Sequence, residues 1–228
     1  MNPAQLPPLI EDLPLACRLR GAEGESAGLV LLMHGVGSNE TSLAGFLSLL
    51  PRNLHVALVR FPYEMAPGAY SAFSVNFTAD GPVIDAAAAE ASRLKLAAFV
   101  GALQARTGMA PDRTLAAGFS QGGIMAAGLG LTRPDTVAGF AILSGRILPE
   151  IAPHLAAKSA LAHLDALIAH GDYDDRLPVS WAERSAELLG ELGVRFEQKR
   201  YAARHEITRD MADDFVAWVE RRLAPAAT

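Results

Sequence analysis

Continuous apolar runs recur along the chain and predict strands. These runs show no polar alternation, which is typical of strands that are buried on both faces of a parallel sheet. The clearest run extends from Gly28 to Met33, and a similar run from His55 ends at Pro62. Strands are also predicted over 114–117, 137–143 and 164–169, and over the segments 15–19 and 194–201, which contain charged residues.

Segments with helical periodicity lie between most of these strands. In the longest segment Leu96, Val100 and Leu103 share one face, with Pro82 predicted at its start and Gly108 at its end. A first-turn proline loses no hydrogen bond, and a glycine readily adopts the backbone conformation that ends a helix. Further helices are predicted over 41–50, over 124–131, over 181–192 and after a Thr208 cap, whereas 61–80 is predicted to be a long loop.

The alternation of strands and helices defines the fold class. It predicts an α/β fold with a mostly parallel central sheet and helices on both faces. The 228 residues are enough for one domain with a substantial core, and no internal repeat or linker divides them. We therefore predict a single domain over 1–228, in which 1–14 form an irregular N-terminal extension.

Composition narrows the classes of partner and location. The net charge is −5 and no lysine or arginine run stands out, which argues against nucleic acid as a partner. The only cysteine, Cys17, excludes an internal disulfide framework and a cysteine-based zinc site.

Leu15-Ala16-Cys17 looks like the end of a lipoprotein signal, but prolines and acidic residues interrupt the preceding segment. We interpret Cys17 as a buried strand residue. No stretch approaches the ~20 apolar residues that cross a bilayer, so the expected location is cytoplasmic.

The segment Gly118-Phe119-Ser120-Gln121-Gly122 is the strongest candidate for chemistry. It follows an apolar run and precedes a helical segment, which is the context of a nucleophile elbow. Because Gly118 and Gly122 lack a Cβ atom, strand and helix can approach closely while Ser120 projects above the sheet. The amide of Gln121 then lies at a helix N-terminus, where free N–H groups favour an oxyanion.

A serine nucleophile needs a base and an acid that orients the base. Of the six histidines, His205 is the best candidate base, because it follows the last strand in a loop just before the last helix. The segment 170–174 follows another strand and supplies carboxylates. Serine, then aspartate, then histidine is the order along the chain in α/β-hydrolases. We choose Asp174 as the acid and keep Asp172 as the alternative.

The loop Gly35-Val36-Gly37 has two interpretations. A dinucleotide-binding fingerprint fails, because its third glycine would fall at Glu40. An oxyanion loop fits, with the amide of Val36 acting together with that of Gln121. The segment 170–174 also has metal-ligand residue types, but no second cluster completes a site. We predict neither a metal nor a cofactor.

Together these motifs resemble the phospholipase/carboxylesterase family. The similar segments are His34–Gly37, Gly118–Gly123, His170–Asp174 and Arg204–Glu206, in register from about residue 28 to 223. That family includes acyl-protein thioesterases, lysophospholipases and small bacterial carboxylesterases. The resemblance implies an α/β-hydrolase fold without a large lid domain. It also implies that Ser120 is the nucleophile, Asp174 the acid, His205 the base, and Val36 and Gln121 the oxyanion donors.

The chain departs from the family pattern around the expected substrate loop. Ser38-Asn39 stand where the family usually has an acidic residue, and Ala69–Phe73 replace a segment that commonly holds a tryptophan. The loop is nevertheless aromatic, containing Phe61, Tyr63, Tyr70, Phe73 and Phe77. We predict that Phe61, Tyr70 and Phe73 bind the acyl chain of the substrate.

The sequence thus predicts a serine carboxylesterase that hydrolyses small-molecule carboxylic esters, with thioesters as a further class, through an acyl-enzyme. Lysophospholipase or acyl-protein thioesterase activity is the alternative. A non-catalytic ligand-binding protein with the same fold is an alternative of another class, and the complete set of three catalytic residue types argues against it. The acyl group, the leaving group and the formation of a homodimer are left open.

Overall fold

An eight-stranded sheet runs through the computed structural model, which describes residues 6–78 and 81–224. The strands are β1 (Leu9–Ile10), β2 (Cys17–Arg20), β3 (Gly28–Met33), β4 (Leu54–Val59), β5 (Tyr63–Ala66), β6 (Ala69–Ser71), β7 (Val75–Thr78), β8 (Gly81–Ile84), β9 (Thr114–Phe119), β10 (Gly139–Leu143), β11 (Asp165–Gly171) and β12 (Arg195–Tyr201). The central sheet has the order β1-β2-β4-β3-β9-β10-β11-β12. Its pairs are parallel from β4 to β12, and β1 and β2 are antiparallel to their neighbours.

Helices cover both faces of this sheet, as the sequence predicts. They are α1 (Phe46–Leu49), α2 (Ala86–Thr107), α3 (Gln121–Thr132), α4 (Lys158–Leu161), α5 (Ser180–Leu192) and α6 (Arg209–Leu223). One hydrophobic cluster contains side chains of α2, α3 and α5, and a second contains those of α1 and α6. The mostly parallel α/β architecture is confirmed. None of the described helices combines the length and the apolar character that crossing a membrane requires.

Strand β3 shows why the central strands are apolar at every position. Its side chains alternate between the two clusters: Leu29, Leu31 and Met33 join the cluster with α2, whereas Val30 and Leu32 join the cluster with α6. Because a strand has a period of two residues, burial on both faces requires an unbroken apolar run.

The ends of the long helix partly agree with the sequence prediction. Gly108 ends α2 in the left-handed conformation, with a φ of 71°. The predicted start of the helix at Pro82 is wrong, because Pro82 lies in β8. The helix is instead capped by the Asp85 side chain, which accepts a hydrogen bond from the amide of Ala88. The predicted cap of α6 is confirmed, since Thr208 accepts a hydrogen bond from a first-turn amide.

Several predicted boundaries differ from the structure. The sequence predicts a loop over 61–80, but in the described residues this segment forms β5 and β6 as one hairpin and β7 as half of a second. All four residues of β5 are exposed, so this strand has no buried apolar face that would distinguish it from a loop in the sequence. The helix predicted over 41–50 is only α1, and the extension over 1–14 includes β1, which pairs with β2. Cys17 is fully buried in β2, as predicted.

Candidate active site

Ser120 occupies a sharp turn between β9 and α3. Its φ of 54° and ψ of −116° are rare for a residue with a side chain. The turn depends on glycines: a Cβ at Gly122 would lie 2.0 Å from the carbonyl oxygen of Met33, and one at Gly118 would lie 2.4 Å from the carbonyl carbon of Gly122. The amide of Ser120 also donates a 2.8 Å hydrogen bond to the carbonyl of Leu143, so the turn is tied to β10.

Three of the predicted site residues form one hydrogen-bonded chain. His205 Nε2 lies 3.0 Å from Ser120 Oγ, and His205 Nδ1 lies 2.7 Å from Asp174 Oδ2. The Asp174 side chain is fully buried, and that of His205 is 18% exposed. With the Asp174 carboxylate as acceptor, Nδ1 carries the proton and Nε2 is free to accept the proton of Ser120.

The loops after β11 and β12 pack together and hold Asp174 next to His205. The amide of Tyr173 donates a 2.9 Å hydrogen bond to the carbonyl of Ala203. A Cβ at Gly171 would lie 2.4 Å from that same oxygen, so glycine permits the close approach of the two loops. The ring of Phe119 packs against His205 from the other side, with the ring centres 4.8 Å apart.

The surroundings of Asp174 favour its ionised form. Oδ1 accepts hydrogen bonds of 2.9 and 2.8 Å from the amides of Arg176 and Leu177, and Oδ2 lies 3.3 Å from His170 Nε2. Burial by itself raises the pKa of Asp174, but the hydrogen bonds from His170, His205 and the two amides outweigh it and lower that pKa well below its ordinary value. A charged acceptor therefore faces His205 over the whole range of neutral pH.

The alternative acid points elsewhere. Asp172 Oδ1 accepts a 2.6 Å hydrogen bond from Arg200 Nε, and its side chain is 35% exposed. It belongs to a surface ion-pair group with Arg200 and Glu183. The geometry therefore favours Asp174 over Asp172 as the partner of His205.

A cleft of about 210 Å³ opens directly above Ser120. It is bordered by Gly35, Val36, Phe73, Val75, Ile84, Phe119, Ser120, Gln121, Ile124, Arg146, Arg176, Leu177 and His205. Val36 lies on the loop after β3, and Gln121 is the first residue of α3, where an amide has no carbonyl partner within the helix. Both candidate oxyanion residues thus border the same cleft as Ser120.

The predicted aromatic residues are divided between the cleft and the body of the protein. Phe73 borders the cleft. Phe61 is 1% exposed and packs edge-on against the His34 ring, and its amide donates to His34 Nε2 at 3.2 Å. Tyr70 lies under the guanidinium of Arg60 and pairs with the loop after β3, where its carbonyl accepts a 2.9 Å hydrogen bond from Gly37. Among the described residues, Phe61 and Tyr70 do not line the cleft.

The Gln121 side chain has a role that the sequence did not reveal. Its Oε1 accepts a 2.7 Å hydrogen bond from the amide of Ala72, and its Nε2 donates a 2.9 Å hydrogen bond to the carbonyl of Phe73. The residue after Ser120 therefore fixes the segment that carries the aromatic wall of the cleft.

Six further residues that border the cleft were not predicted from the sequence: Val75, Ile84, Ile124, Arg146, Arg176 and Leu177. Arg146 carried a signal, because it interrupts an apolar segment just after a predicted strand. Val75 and Ile84 have no such signal in the sequence, because the sequence does not predict the hairpin of β7 and β8 that holds them. No three His, Cys, Asp or Glu side chains gather as a potential metal site in the described part of the chain.

Fold and site together define an α/β-hydrolase. A model of the family described as Phospholipase/Carboxylesterase matches residues 19–221, and the chain belongs to this family.

Two curated relatives are each named acyl-protein thioesterase 1. The protein from Gibberella zeae is 30% identical over 122 residues, which cover 52% of this chain and 52% of the relative. The protein from Emericella nidulans is 34% identical over 103 residues, or 41% of each chain. The chain thus spans about half the length of the curated relatives that it matches, or less.

Solved structures resemble the chain over nearly its whole length. Esterase PE8 has a TM-score of 0.76 and 27% identity, over 91% of this chain and 98% of that protein. A carboxylesterase from Mesorhizobium loti has a TM-score of 0.80 and 24% identity, over 96% and 99% of the two chains. At 24% identity, the similarity to the Mesorhizobium loti protein shows a common fold.

Proposed function

We propose that this protein is a serine carboxylesterase that hydrolyses carboxylic esters through an acyl-enzyme. The observation that carries the proposal is the hydrogen-bonded chain from Ser120 through His205 to buried Asp174, at the floor of an open cleft. Such a chain supplies what a serine nucleophile lacks, namely a base for its proton and a group that orients the base. Membership of the phospholipase/carboxylesterase family supports the same activity.

In the acylation half of the proposed reaction, His205 Nε2 takes the proton of Ser120 Oγ as this oxygen bonds to the carbonyl carbon of the ester. The negative charge that develops on the carbonyl oxygen is stabilised by the amides of Val36 and Gln121. The imidazolium is held by the Asp174 carboxylate. His205 Nε2 then gives its proton to the departing oxygen, and the bond from carbon to the leaving group breaks.

In the deacylation half, water replaces the leaving group. His205 Nε2 removes one proton from the water as the oxygen attacks the acyl carbon, and the same two amides receive the oxyanion. Breakdown of this intermediate releases the carboxylic acid and returns the proton to Ser120 Oγ. The cycle uses water, the side chains of Ser120, His205 and Asp174, and the two amides.

Thioesters are a second candidate substrate class. They are favoured by the names of the two fungal relatives, which are called acyl-protein thioesterases. The same mechanism applies when the bond from carbon to sulfur breaks, with the proton of His205 Nε2 passing to the sulfur so that a thiol leaves. A comparison of kcat/KM for matched octanoyl esters and thioesters would rank the two classes.

A covalent label tests the proposed nucleophile. Wild-type protein should react once with a fluorophosphonate, whereas Ser120→Ala should not react and should lose a factor on the order of 10⁴ to 10⁶ in ester hydrolysis. Ser42→Ala is a matched control, because Ser42 is an exposed serine in the chain segment after the Val36 loop. Labelling of Ser120→Ala at the wild-type level would show that another residue is the nucleophile. A wild-type protein that neither reacts with the label nor hydrolyses esters would favour the non-catalytic alternative.

A cytoplasmic location stays a prediction, and the formation of a homodimer stays open. Fractionation of cells that express the protein and light scattering of the purified protein would test them.

A further inference from the structure

Arg146 is a buried cation beside the cleft, with a residue exposure of 5%. Among the described residues, its Nε has no hydrogen-bond partner and no carboxylate forms an ion pair with it. Burial lowers the pKa of Arg146, and the charge of Glu150 only partly opposes that shift. Because an unpaired buried charge is costly, such a group calls for an explanation in terms of a ligand.

The backbone brings Arg146 directly beside the nucleophile. β10 ends at Leu143, the next residue, Ser144, has a φ of 49°, and the chain then turns at Gly145. A Cβ at Gly145 would lie 2.8 Å from the carbonyl oxygen of Ser120, so the two turns are in close contact. The next residue, Arg146, borders the same cleft as Ser120 and His205.

Helix α5 holds this arginine in place. The guanidinium carbon of Arg146 lies 4.2 Å from the centre of the Trp181 ring. The amide of Ile147 donates a 3.0 Å hydrogen bond to Ser185 Oγ, which ties the turn to the same helix. A guanidinium stacked on an aromatic face keeps its N–H groups free at the edge, where they can form paired hydrogen bonds to an oxyanion.

The charged side chains that border the cleft also favour an anionic ligand. Exposed Arg176 borders the same cleft, and none of the described residues that border the cleft is an aspartate or glutamate. The protein as a whole has a net charge of −5, so the positive wall is not a reflection of overall composition. A wall of this kind attracts anions and does not favour cationic ligands.

We propose that Arg146 binds a negatively charged group of the substrate, a carboxylate or a phosphate, beside the ester that Ser120 attacks. The inference rests on the proposed esterase function and adds a substrate class to it, namely esters that carry an anion. Arg146 is then a specificity-determining residue. A planar guanidinium suits this role, because it can bind two oxygens of one anion through parallel N–H groups.

Two matched substrate pairs test the proposal and locate the anion. In the first pair, monomethyl glutarate differs from methyl pentanoate by a carboxylate on the acyl side of the ester. In the second pair, 1-butyrylglycerol 3-phosphate differs from 1-butyrylglycerol by a phosphate on the alcohol side. Hydrolysis is followed in a pH-stat, and the measured quantity is the ratio of kcat/KM for the anionic ester to that for its neutral partner.

Arg146→Met should lower this ratio by tenfold to a hundredfold in at least one pair, the range expected for a lost hydrogen bond to a charged group. Arg146→Lys keeps the charge without the planar fork, so its ratio should be intermediate. Arg184→Met is the matched control, because Arg184 also lies over the Trp181 ring, at 4.8 Å, but is exposed. It should keep the wild-type ratio. Ratios equal to the wild type in both pairs, in folded Arg146→Met and Arg146→Lys, would overturn the proposal.

A binding measurement separates this proposal from the esterase mechanism. Ser120→Ala, titrated by calorimetry with monomethyl glutarate and with 1-butyrylglycerol 3-phosphate, should bind at least one of them, and Ser120→Ala/Arg146→Met should bind it at least tenfold more weakly. Equal affinity, or no binding by either protein, would contradict the role of Arg146. Failure of the wild type to hydrolyse any ester, with Arg146-dependent binding intact, would contradict the esterase proposal alone.

Discussion

At the scale of single residues, Asp172 and Asp174 show how environment separates two identical side chains. They lie two positions apart after the same strand, yet Asp172 pairs with Arg200 at the surface while Asp174 is buried against His205. Asp174 accepts hydrogen bonds from two amides in its own loop, which fix its orientation. The assignment of the proposed acid therefore depends on where each carboxylate points.

Replacing each of these carboxylates by its amide should have very different effects. Asp174→Asn can hold His205 in the wrong tautomer, so we expect kcat to fall by about 10⁴ with the fold retained. Asp172→Asn, the matched control, removes only an exposed ion pair and should change kcat by less than about threefold. Steady-state kinetics with a chromogenic ester, beside circular dichroism, would measure both. The opposite ranking would identify Asp172 as the acid.

At the scale of elements, the contact between β3 and the start of α3 leaves no room for a side chain at Gly122. Gly122 faces the backbone of Met33, and its absent Cβ is what allows the strand and the helix to meet. The second hairpin contributes in another way, since Val75 in β7 and Ile84 in β8 border the cleft. Elements that the sequence predicts and elements that it misses thus both build the site.

Alanine at Gly122 should disrupt this contact. The added Cβ would lie 2.0 Å from a backbone oxygen, so we expect a loss on the order of 3 kcal/mol in the free energy of unfolding, together with loss of ester hydrolysis. Gly101→Ala is the control, because Gly101 is an exposed residue of α2 with no atom near its missing Cβ. It should gain about 0.5 to 1 kcal/mol. Urea unfolding measures both, and equal stabilities would refute the packing argument.

The second hairpin should contribute to chain-length preference. Ile84 borders the cleft, so Ile84→Ala should lower kcat/KM for an octanoyl ester more than for an acetyl ester. At ~0.8 kcal/mol per CH₂, each lost methylene contact corresponds to about fourfold. Val83→Ala is the matched control, since Val83 is the adjacent residue of β8 and is 58% exposed. Equal losses for both esters would show that Ile84 does not contact the acyl chain.

At the scale of the whole molecule, a buried carboxylate joins distant parts of the chain. Glu40 is 3% exposed and accepts hydrogen bonds from Arg18 in β2 and from Arg60 just after β4. Burial raises the pKa of Glu40, but the hydrogen bonds from Arg60 and Arg18 outweigh it and lower that pKa below its ordinary value. The pKa values of Glu40 and Asp174 are thus both lowered in the folded protein.

Acid should therefore destabilise the protein. A carboxylate whose pKa is lower in the folded state binds fewer protons there than in the unfolded state, so its stabilisation is present above about pH 4.5 and is lost as the pH falls below that value. Each group adds at most about 1.4 kcal/mol per pH unit to this slope. Urea unfolding between pH 6 and 3 should give a flatter dependence for Glu40→Gln than for the wild type. Glu191→Gln, at an exposed glutamate, should keep the wild-type slope, and an unchanged slope in Glu40→Gln would contradict the argument.

The sequence by itself determined the alternating α/β architecture and the turn at Ser120. Both are local: apolar runs identify strands buried on two faces, and Gly118 and Gly122 mark a sharp turn between a strand and a helix. The tertiary structure alone decided which distant groups meet. Pro82 lies in a hairpin rather than a helix because pairing with β7 outweighs its local preference. Likewise, Phe61 enters the core, and Arg146 reaches the cleft through the contact of Gly145 with Ser120, because packing between remote segments determines the surroundings of a side chain.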